Sequence, residues 1–303
     1  MAVDFTKLEK RNKAYSGANG GKISVIYDGE LYMLKFPPAA PRNDDLSYSN
    51  SCIAEYLGCK IFKLAGVPVQ EVILGTYTTN KGVEKIVVAC KDFAINGKVL
   101  QDFASLKNQI IDSEGNGTGT ELSDIKETFE EQAAIDPIQL KRRFWDMFIV
   151  DSLIGNWDRH NGNWGFLYDP ITDKMELAPV YDCGSSLYPQ ADEKMMEIIM
   201  SDPDEMRARV YDMPTSSIRI NGSRINYYTF ITSLQDKDCN AALKRIMSKI
   251  NLRDVYKIID DTPFIGDIQK KFYKTMIKER YERILVTALK KIRKREREQE
   301  QER

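Results

Sequence analysis

The sequence is poor in several features that mark particular classes of protein. Its 303 residues include a single histidine, and 44 lysine and arginine residues stand against 45 aspartate and glutamate residues, for a formal net charge of -1. Because no overall positive charge is present, the composition does not predict direct binding to nucleic acid. No stretch of about 18 apolar residues occurs, so no membrane-spanning helix is expected.

Cysteine is also scarce, with five residues: Cys52, Cys59, Cys90, Cys183 and Cys239. Their spacing does not indicate a zinc site, and we expect buried or partly buried reduced thiols in a reducing compartment. The first residues lack the apolar run of a signal peptide. We therefore expect a cytoplasmic protein, and secretion that needs no cleaved signal remains an open alternative.

What the chain does contain is the pattern of a soluble globular protein, with 42% hydrophobic and 29% charged residues. In the first ninety residues, strands are predicted over 22–27, 31–36, 69–78 and 85–90, and a helix over 48–65. Asp28-Gly29 is typical of a hairpin turn. Further helices are predicted near 123–134, 137–154, 192–211, 226–234, 237–249, 252–260 and from Gly266 past residue 290. Strand pair, helix and strand pair match a small nucleotide-binding lobe.

The single histidine lies in the segment with the most concentrated polar chemistry, Gly155 to Asn163. Asp158 and Asn163 are five residues apart in it, and Asp182 follows about twenty residues later. Phosphoryl transfer uses an aspartate near the attacking hydroxyl, then an asparagine and a second aspartate that bind magnesium. The spacing supplies this set. The alternatives are a loop or helix cap for Asp158 and a β-turn aspartate for Asp182.

These residues resemble the HipA-like serine/threonine kinases, and within that family the stand-alone, CtkA-type bacterial kinases that have no separate antitoxin-binding lobe. The segments that carry the resemblance are 17–22, 32–37, 88–93, 144–148, 155–166 and 182–190. The resemblance implies an α+β, two-lobed protein-kinase-like fold. A small β-rich nucleotide-binding lobe is expected over residues 1–92, and a larger, mainly helical catalytic lobe with a charged helical tail over residues 93–303.

The resemblance also implies roles for residues of the larger lobe. Asp158 is the expected catalytic carboxylate, and Asn163 and Asp182 are the expected magnesium ligands, since magnesium takes hard oxygen donors. His160 is expected to pin the loop by hydrogen bonds and to lie beside the nucleotide, with a direct part in the chemistry as a general base as the alternative. Tyr181 is counted with the nucleotide-binding residues.

Two neighbouring residues have expectations of their own. Gly184 is expected to let the chain turn sharply after Asp182. For Arg159, a loop-ordering ion pair and a phosphate clamp are both open.

In the smaller lobe, Lys35 is expected to bind nucleotide phosphates and to be held by Glu55, with Glu71 as the alternative partner. The expected phosphate-cradling loop comprises Gly17, Ala18, Asn19, Gly20, Gly21 and Lys22. Ala89 and Lys91 are expected to offer backbone groups to adenine. Asp92 is expected to accept from the ribose, a plain strand end being the alternative.

The resulting hypothesis is an ATP- and magnesium-dependent kinase that phosphorylates serine or threonine in a protein substrate of unknown identity and also phosphorylates itself. The 16–24 region, with Ser16 and Ser24, is the favoured site of self-modification, and Ser185 and Ser186 are further candidates. The rivals are a phosphatidylinositol-type lipid kinase, a non-catalytic nucleotide-binding scaffold, and a toxin inhibited by a partner. The missing extra lobe makes an antitoxin partner unexpected.

Overall fold

A computed structural model describes residues 3–15, 21–38, 49–111 and 117–301. The N-terminal part of the chain forms one mixed sheet. In chain order its six strands are β1 (Val3–Asp4), β2 (Lys10–Arg11), β3 (Lys22–Tyr27), β4 (Glu30–Lys35), β5 (Val72–Thr78) and β6 (Glu84–Lys91). In space they lie in the order β1-β5-β6-β4-β3-β2, and every pair except β1–β5 is antiparallel.

The β3–β4 hairpin forms as its turn residues predict. Asp28 and Gly29 have φ values of 51° and 75°, the left-handed backbone that a tight two-residue hairpin requires. The resulting register places Lys22 opposite Lys35, and Lys35 is opposite Val88 on the other side. The hairpin therefore brings two lysines side by side at one end of the sheet.

Helix α1 (Ser51–Leu64) packs against the sheet through β5 and β6 and against the helical part of the chain. Its apolar residues recur every three or four positions, and they are buried together with one carboxylate, Glu55. The helix is followed by Gly66, which has a φ of 68°. The next predicted strand starts at Val72 rather than at residue 69.

The remainder of the chain is mainly helical. Its helices are α2 (Phe103–Ile110), α3 (Leu122–Glu131), α4 (Pro137–Ile154), α5 (Glu193–Ser201), α6 (Pro203–Arg207), α7 (Tyr227–Ser233), α8 (Lys237–Met247), α9 (Leu252–Asp260), α10 (Asp267–Arg280) and α11 (Thr287–Gln301). Two π-helical turns, Ala208–Asp212 and Tyr281–Val286, interrupt this pattern. The helix predicted over 192–211 is wrong as a single element, because Asp202 caps a new helix at Pro203.

Five short strands in this part were not predicted. They form the three-stranded sheet β7 (Val99–Asp102), β8 (Gly165–Asp169) and β9 (Lys174–Leu177), and the hairpin β10 (Arg219–Ile220) and β11 (Ser223–Arg224). Strand β8 follows directly after the loop that contains Asp158, and its pairing with β7 and β9 holds the exit of that loop in place.

The hydrophobic core continues from the sheet into the helices. The main cluster contains residues of α1, β5, β6 and most of the later helices, while a second, smaller cluster around Phe5, Val25 and Leu34 covers the other face of the sheet. All five cysteines are buried free thiols. Within the described residues, no helix is long and apolar enough to cross a membrane. The expected α+β fold is confirmed, and the lobe boundary at residues 92–93 stays a prediction.

Candidate active site

A lysine held between two carboxylates marks the cleft between the sheet and the helices. Lys35 ends β4, and its Nζ lies 3.0 Å from Glu55 Oε2 and 3.1 Å from Asp182 Oδ1. Burial opposes the lysine charge, but the charges of Asp182 and Glu55 outweigh it and hold the pKa of Lys35 well above its usual value. The geometry selects Glu55, and not Glu71, as the helix partner of Lys35.

The loop after α4 presents a further carboxylate. Gly155 caps α4 with a φ of 66°, a conformation that glycine adopts at little cost. In the following loop Asp158 is half-buried, and its Oδ2 accepts a hydrogen bond from Ser185 Oγ at 3.5 Å. The Asp158 N–H donates to Asn156 Oδ1 at 3.1 Å, which orders the turn. No helix begins at Asp158 in the described chain, so it is not a helix cap.

Asn163 and His160 hold this loop in shape. Asn163 Nδ2 donates to the Asp158 carbonyl at 2.8 Å, which leaves the amide oxygen as an acceptor. His160 Nδ1 accepts from the Gly162 N–H at 3.0 Å, and the His160 N–H donates to the Asp158 carbonyl at 2.8 Å. These contacts all lie within the loop and support the structural part expected of His160. Its position beside a nucleotide stays a prediction.

A buried arginine joins the loop to its surroundings. Arg159 is 5% exposed, and its Nε and Nη2 donate to the two carboxylate oxygens of Asp151 on α4, at 3.0 and 3.4 Å. Its Nη1 donates to the carbonyls of Asn163, at 2.7 Å, and of Tyr181. One side chain thereby connects α4, the loop after it and the segment after β9. The structure shows the loop-ordering ion pair and not a phosphate clamp.

The segment after β9 turns at Gly184 and Ser185, as expected. The Ser186 N–H donates to the Cys183 carbonyl at 3.2 Å and closes this turn. The turn does not need a left-handed glycine, because Gly184 is outside the left-handed region, whereas Asp182 has a φ of 59°. Glycine also leaves room for Glu55, because a Cβ at Gly184 would make a tight contact of 3.2 Å with Glu55 Oε2. A Cβ on Gly58 of α1 would lie 2.6 Å from Cys183 Cβ. The two glycines let α1 and this segment pack closely enough to bring Glu55 and Asp182 to one lysine.

The two aspartates of the cleft have pKa values shifted in opposite directions. The charge of Lys35 outweighs burial and holds the pKa of Asp182 below its usual value. Burial raises the pKa of Asp158 and the charge of Asp182 raises it further, against the opposing charges of Arg224 and Arg159. Asp182 is therefore suited to remain an anionic ligand, and Asp158 to accept a proton.

Lys22 and Gly21 lie at the described edge of the predicted phosphate-binding loop. Lys22 is directly opposite Lys35 on the neighbouring strand, and burial together with the Lys35 charge lowers the pKa of Lys22. The Gly21 carbonyl accepts from the Phe36 N–H at 3.0 Å. The remaining predicted loop residues, Gly17, Ala18, Asn19 and Gly20, are outside the described residues, as is Ser16.

The backbone groups predicted to bind adenine already have partners. Ala89 lies in β6, which pairs with strands on both sides. The Lys91 N–H donates to the Glu71 carbonyl at 2.8 Å, and the Lys91 carbonyl accepts from Gln70 Nε2 at 2.9 Å. A carbonyl has two lone pairs, so the Lys91 oxygen can take a second donor. Adenine contact by Ala89 and Lys91 stays a prediction.

Asp92 is buried directly after β6 and binds the N-terminal segment. Its Oδ2 lies 2.8 Å from Tyr15 Oη and 2.6 Å from Lys13 Nζ, and its Oδ1 accepts from the Ala94 N–H at 2.9 Å. A ribose hydroxyl would join a carboxylate that already has three donors. The ribose contact of Asp92 stays a prediction, now next to a structural role that the sequence did not indicate.

Two aromatic rings form an apolar surface beside the cleft. The Phe93 and Tyr181 ring centroids are 5.8 Å apart with an interplanar angle of 35°. Tyr181 Oη donates to the Gly162 carbonyl at 3.3 Å, which fixes this ring against the loop after α4. Planar rings of this kind can pack against a nucleotide base.

Three supporting residues were missed by sequence reasoning. Asp151 is almost fully buried on α4, Asn156 Nδ2 donates to Asp151 Oδ1 at 2.9 Å, and Tyr227 Oη donates to the Asn156 carbonyl at 2.6 Å. A lone carboxylate inside an apolar helical run was a signal for Asp151, because a buried charge requires a partner. Tyr227 lies 71 residues beyond Asn156 and gave no such signal.

The side chains around Asp182 offer oxygen atoms of the kind that magnesium takes as ligands. Among the described residues, no three histidine, cysteine, aspartate or glutamate side chains cluster as a metal site. Asp182 is 45% exposed, with Lys35 as a partner of Oδ1, and Asn163 has a spare amide oxygen. Magnesium keeps several waters and needs only one or two protein oxygens besides the phosphates. The residues present therefore fit this ion.

These features together define the class of protein-kinase-like enzymes. They are a strand lysine paired with a helix glutamate, a loop that contains an aspartate and an asparagine, and a second aspartate that contacts the lysine below a β-rich lobe. The family model described as HipA-like C-terminal domain matches residues 13–257, and the chain belongs to this family.

Individual relatives agree with this assignment. Serine/threonine-protein kinase CtkA of Helicobacter pylori is 46% identical over 288 residues, which are 94% of this chain and 87% of that protein. A crystal structure described as a Helicobacter pylori proinflammatory kinase CtkA has a TM-score of 0.88 at 45% identity, covering 95% of this chain and 97% of that one. The predicted family, fold and enzyme class, a HipA-like serine/threonine-protein kinase, are confirmed.

A more distant structure shares the fold alone. Shewanella oneidensis HipA, solved with HipB and its operator DNA, has a TM-score of 0.57 at 16% identity, covering 92% of this chain and 67% of that one.

Proposed function

We propose that the protein transfers the γ-phosphoryl group of ATP, with magnesium, to serine or threonine hydroxyls of protein substrates. The observation that carries the proposal is the position of Lys35 Nζ, within 3.1 Å of both the buried Glu55 and the partly exposed Asp182. Such a lysine is a fixed positive charge at the place where kinases hold nucleotide phosphates. A lysine on a solvated strand face would not be expected to pair with two carboxylates from distant parts of the chain.

The nucleotide and metal would be bound by side chains that the geometry leaves available. Lys35 would contact the phosphates, and Asp182 and Asn163 would supply oxygens to magnesium. When bound, magnesium would neutralise negative charge on the phosphate oxygens. The low pKa of Asp182, caused by the Lys35 charge, keeps this ligand ionised at neutral pH.

Asp158 would orient the acceptor hydroxyl and take up its proton. Its carboxylate is half-buried, its pKa is raised by burial, and the hydroxyl of Ser185 lies 3.5 Å from its Oδ2. An acceptor hydroxyl in a similar position would donate to the same oxygen. The choice of serine and threonine as acceptors follows the printed name of the Helicobacter pylori relative.

Self-phosphorylation is proposed on a serine or threonine of a loop. Ser24 does not fit this role in the observed conformation, because it is 2% exposed on β3 and its Oγ donates to the Lys13 carbonyl at 2.5 Å. Ser186 is also buried, with its Oγ bonded to the Cys183 carbonyl at 2.7 Å. Ser16 and Ser185 therefore remain the preferred candidates among those named from the sequence.

The test is incubation with labelled ATP and magnesium, alone, with cell lysate and with vesicles that contain phosphatidylinositol. Label on serine or threonine of protein supports the proposal. Label on lipid supports the lipid-kinase rival, and no label anywhere, with ATP bound, supports the nucleotide-binding scaffold. The Asp158→Asn variant in the same assays separates this activity from that of a contaminating kinase. A cytoplasmic location and the lack of an antitoxin partner stay predictions.

A further inference from the structure

A cavity lies outside the candidate active site. It has a volume of about 520 Å³, is half open to solvent, and is lined by the C-terminal half of α1, the turn after it and the start of β5. Neither the aspartates of the cleft nor Lys35 lines it. Cavities of about 300–1,000 Å³ are typical of small-molecule sites.

One wall of this cavity contains a buried amide with an unused acceptor. Gln70 is 7% exposed, and its Nε2 donates to the Lys91 carbonyl at 2.9 Å. Gln70 Oε1 is buried, and within the described residues no group donates to it. A buried acceptor without a donor is unfavourable. An occupant of the cavity that carries an O–H or N–H group would satisfy it once the Gln70 side chain turned toward the cavity, because Oε1 has almost no exposed surface in the observed conformation.

The rim of the cavity is positively charged. Lys60 and Lys63 line it, and Lys249 packs over Gly66 so closely that a Cβ there would lie 2.7 Å from Lys249 Nζ. The ion pairs formed by the described residues include none of these three lysines. Lys60 instead lies over the Tyr56 ring, 5.1 Å from its centroid. Burial and the charge of Lys63 lower the pKa of Lys60.

The charge and the apolar surface of the cavity lining indicate the chemical class of its ligand. Glu71 is also part of the lining, so two lysines and one glutamate leave the cavity with one net positive charge. Lys249 does not line the cavity, but it packs against the lining residue Gly66 and adds a positive charge nearby. Val67, Val72 and Ile73 supply apolar surface. An anionic group is matched to the lysines, a hydrogen-bond donor to Gln70, and an apolar ring to the remaining wall.

We propose that this cavity binds a small phosphorylated or carboxylated molecule that carries a hydroxyl or N–H donor and an apolar ring. The site is next to the catalytic cleft without being part of it. Cys59 lines the cavity, and its Sγ donates to Glu55 Oε1 at 3.9 Å, while Gln70 holds the carbonyl at the end of β6. An occupant would thus contact the neighbours of both Glu55 and the last residue of β6.

The test uses 4-hydroxyphenyl phosphate as the probe, with phenyl phosphate as the match that lacks the donor and phenol as the match that lacks the anion. Binding is measured by saturation-transfer NMR and calorimetry on the full chain, with excess non-hydrolysable ATP analogue and magnesium to fill the other cleft. The variants are the double change Lys60→Ala and Lys63→Ala, and separately Gln70→Leu. Lys81→Ala, on the β5–β6 turn, is the control for loss of a surface lysine.

We expect saturable binding of the probe at a dissociation constant near 1 mM, a value within reach of a ligand of this size. The double lysine variant should weaken it by at least about fivefold, because charge-assisted contacts are lost. Gln70→Leu should remove the advantage of the probe over phenyl phosphate, and Lys81→Ala should change nothing. The proposal is overturned if no saturable binding occurs at about 10 mM, or if the double lysine variant binds as well as the wild type. Because the readout is binding, it is independent of whether the protein transfers phosphate.

Discussion

Arg159 and Asp151 form an ion pair in the interior of the protein, with Nε and Oδ2 3.0 Å apart and side-chain exposures of 6% and 1%. Each group raises the cost of losing the other, because a buried charge without its partner is strongly unfavourable. Burial raises the pKa of Asp151 against the charge of Arg159. The pair fixes two loops whose carboxylates face the cleft, so stability and active-site geometry depend on the same contact.

We expect Asp151→Ala to lower the free energy of unfolding by about 3–5 kcal/mol, since it leaves a buried guanidinium without a counter-ion. The measurement is denaturant unfolding at neutral pH. Asp261→Ala is the control, because Asp261 pairs with Lys257 on the surface, with side-chain exposures of 63% and 74%; there a much smaller loss is expected. Equal losses in the two variants would show that the buried Asp151–Arg159 pair contributes no more to the free energy of unfolding than an ordinary ion pair.

Asp158→Asn should reduce phosphoryl transfer by at least about a hundredfold, the scale of one positioned acid–base group. The amide keeps the shape of the side chain, so nucleotide affinity should change little. Turnover and ATP binding are measured in parallel. Asp173→Asn, on the exposed β8–β9 turn where Tyr168 Oη is its partner, is the matched control. A variant at Asp158 with wild-type turnover would remove this residue from the mechanism.

Asp182→Asn and Asn163→Ala should each weaken magnesium-dependent ATP binding, because each change removes one of the two proposed oxygen ligands. Calorimetric titration of ATP with and without magnesium measures the effect. Asn163→Asp is the companion variant. It should retain magnesium-dependent binding better than Asn163→Ala, since a carboxylate keeps an oxygen ligand for the metal at this position. If the magnesium dependence survives both ligand changes, the metal is bound elsewhere.

Lys35→Met should weaken ATP binding and activity while the fold is retained. The methionine keeps most of the length of the side chain but removes the charge that faces the nucleotide phosphates. Lys98→Met is the control, because Lys98 forms an exposed pair with Glu176. An unchanged ATP dissociation constant in Lys35→Met would show that the lysine does not contact the nucleotide.

The Lys35 charge should also control the order in which Asp182 and Asp158 titrate. In the metal-free and nucleotide-free protein, the Asp182 carboxyl should protonate below the ordinary aspartate pKa and the Asp158 carboxyl above it. On acidification Asp158 should therefore take up its proton first. Removal of the Lys35 charge should move the Asp182 pKa upward toward that of Asp158. Carboxyl carbon NMR against pH checks this order, and a lower pKa for Asp158 than for Asp182 would contradict it.

Local patterns explain why much of the fold was predictable. The Asp28-Gly29 turn specifies its own backbone and so the β3–β4 hairpin, and the apolar spacing in α1 and α4 defines their buried faces. Breaks such as the one at Pro203 and short strands such as β7 to β9 carry weak local signals. Pairing between strands 60 or more residues apart depends on packing that no short window of sequence contains.

The sequence alone was enough to predict which side chains carry the chemistry: Asp158, Asn163 and Asp182 occur at a spacing typical of phosphoryl transfer, and Lys35 follows a hairpin turn. Only the tertiary structure decided which glutamate pairs with Lys35, that Arg159 is a buried connector, and that Gly184 also leaves room for the Glu55 carboxylate. The physical reason is the distance along the sequence between the residues that interact. Backbone conformation follows from neighbouring residues, whereas ion pairs across 20 to 147 positions exist only after the hydrophobic core has brought distant segments together.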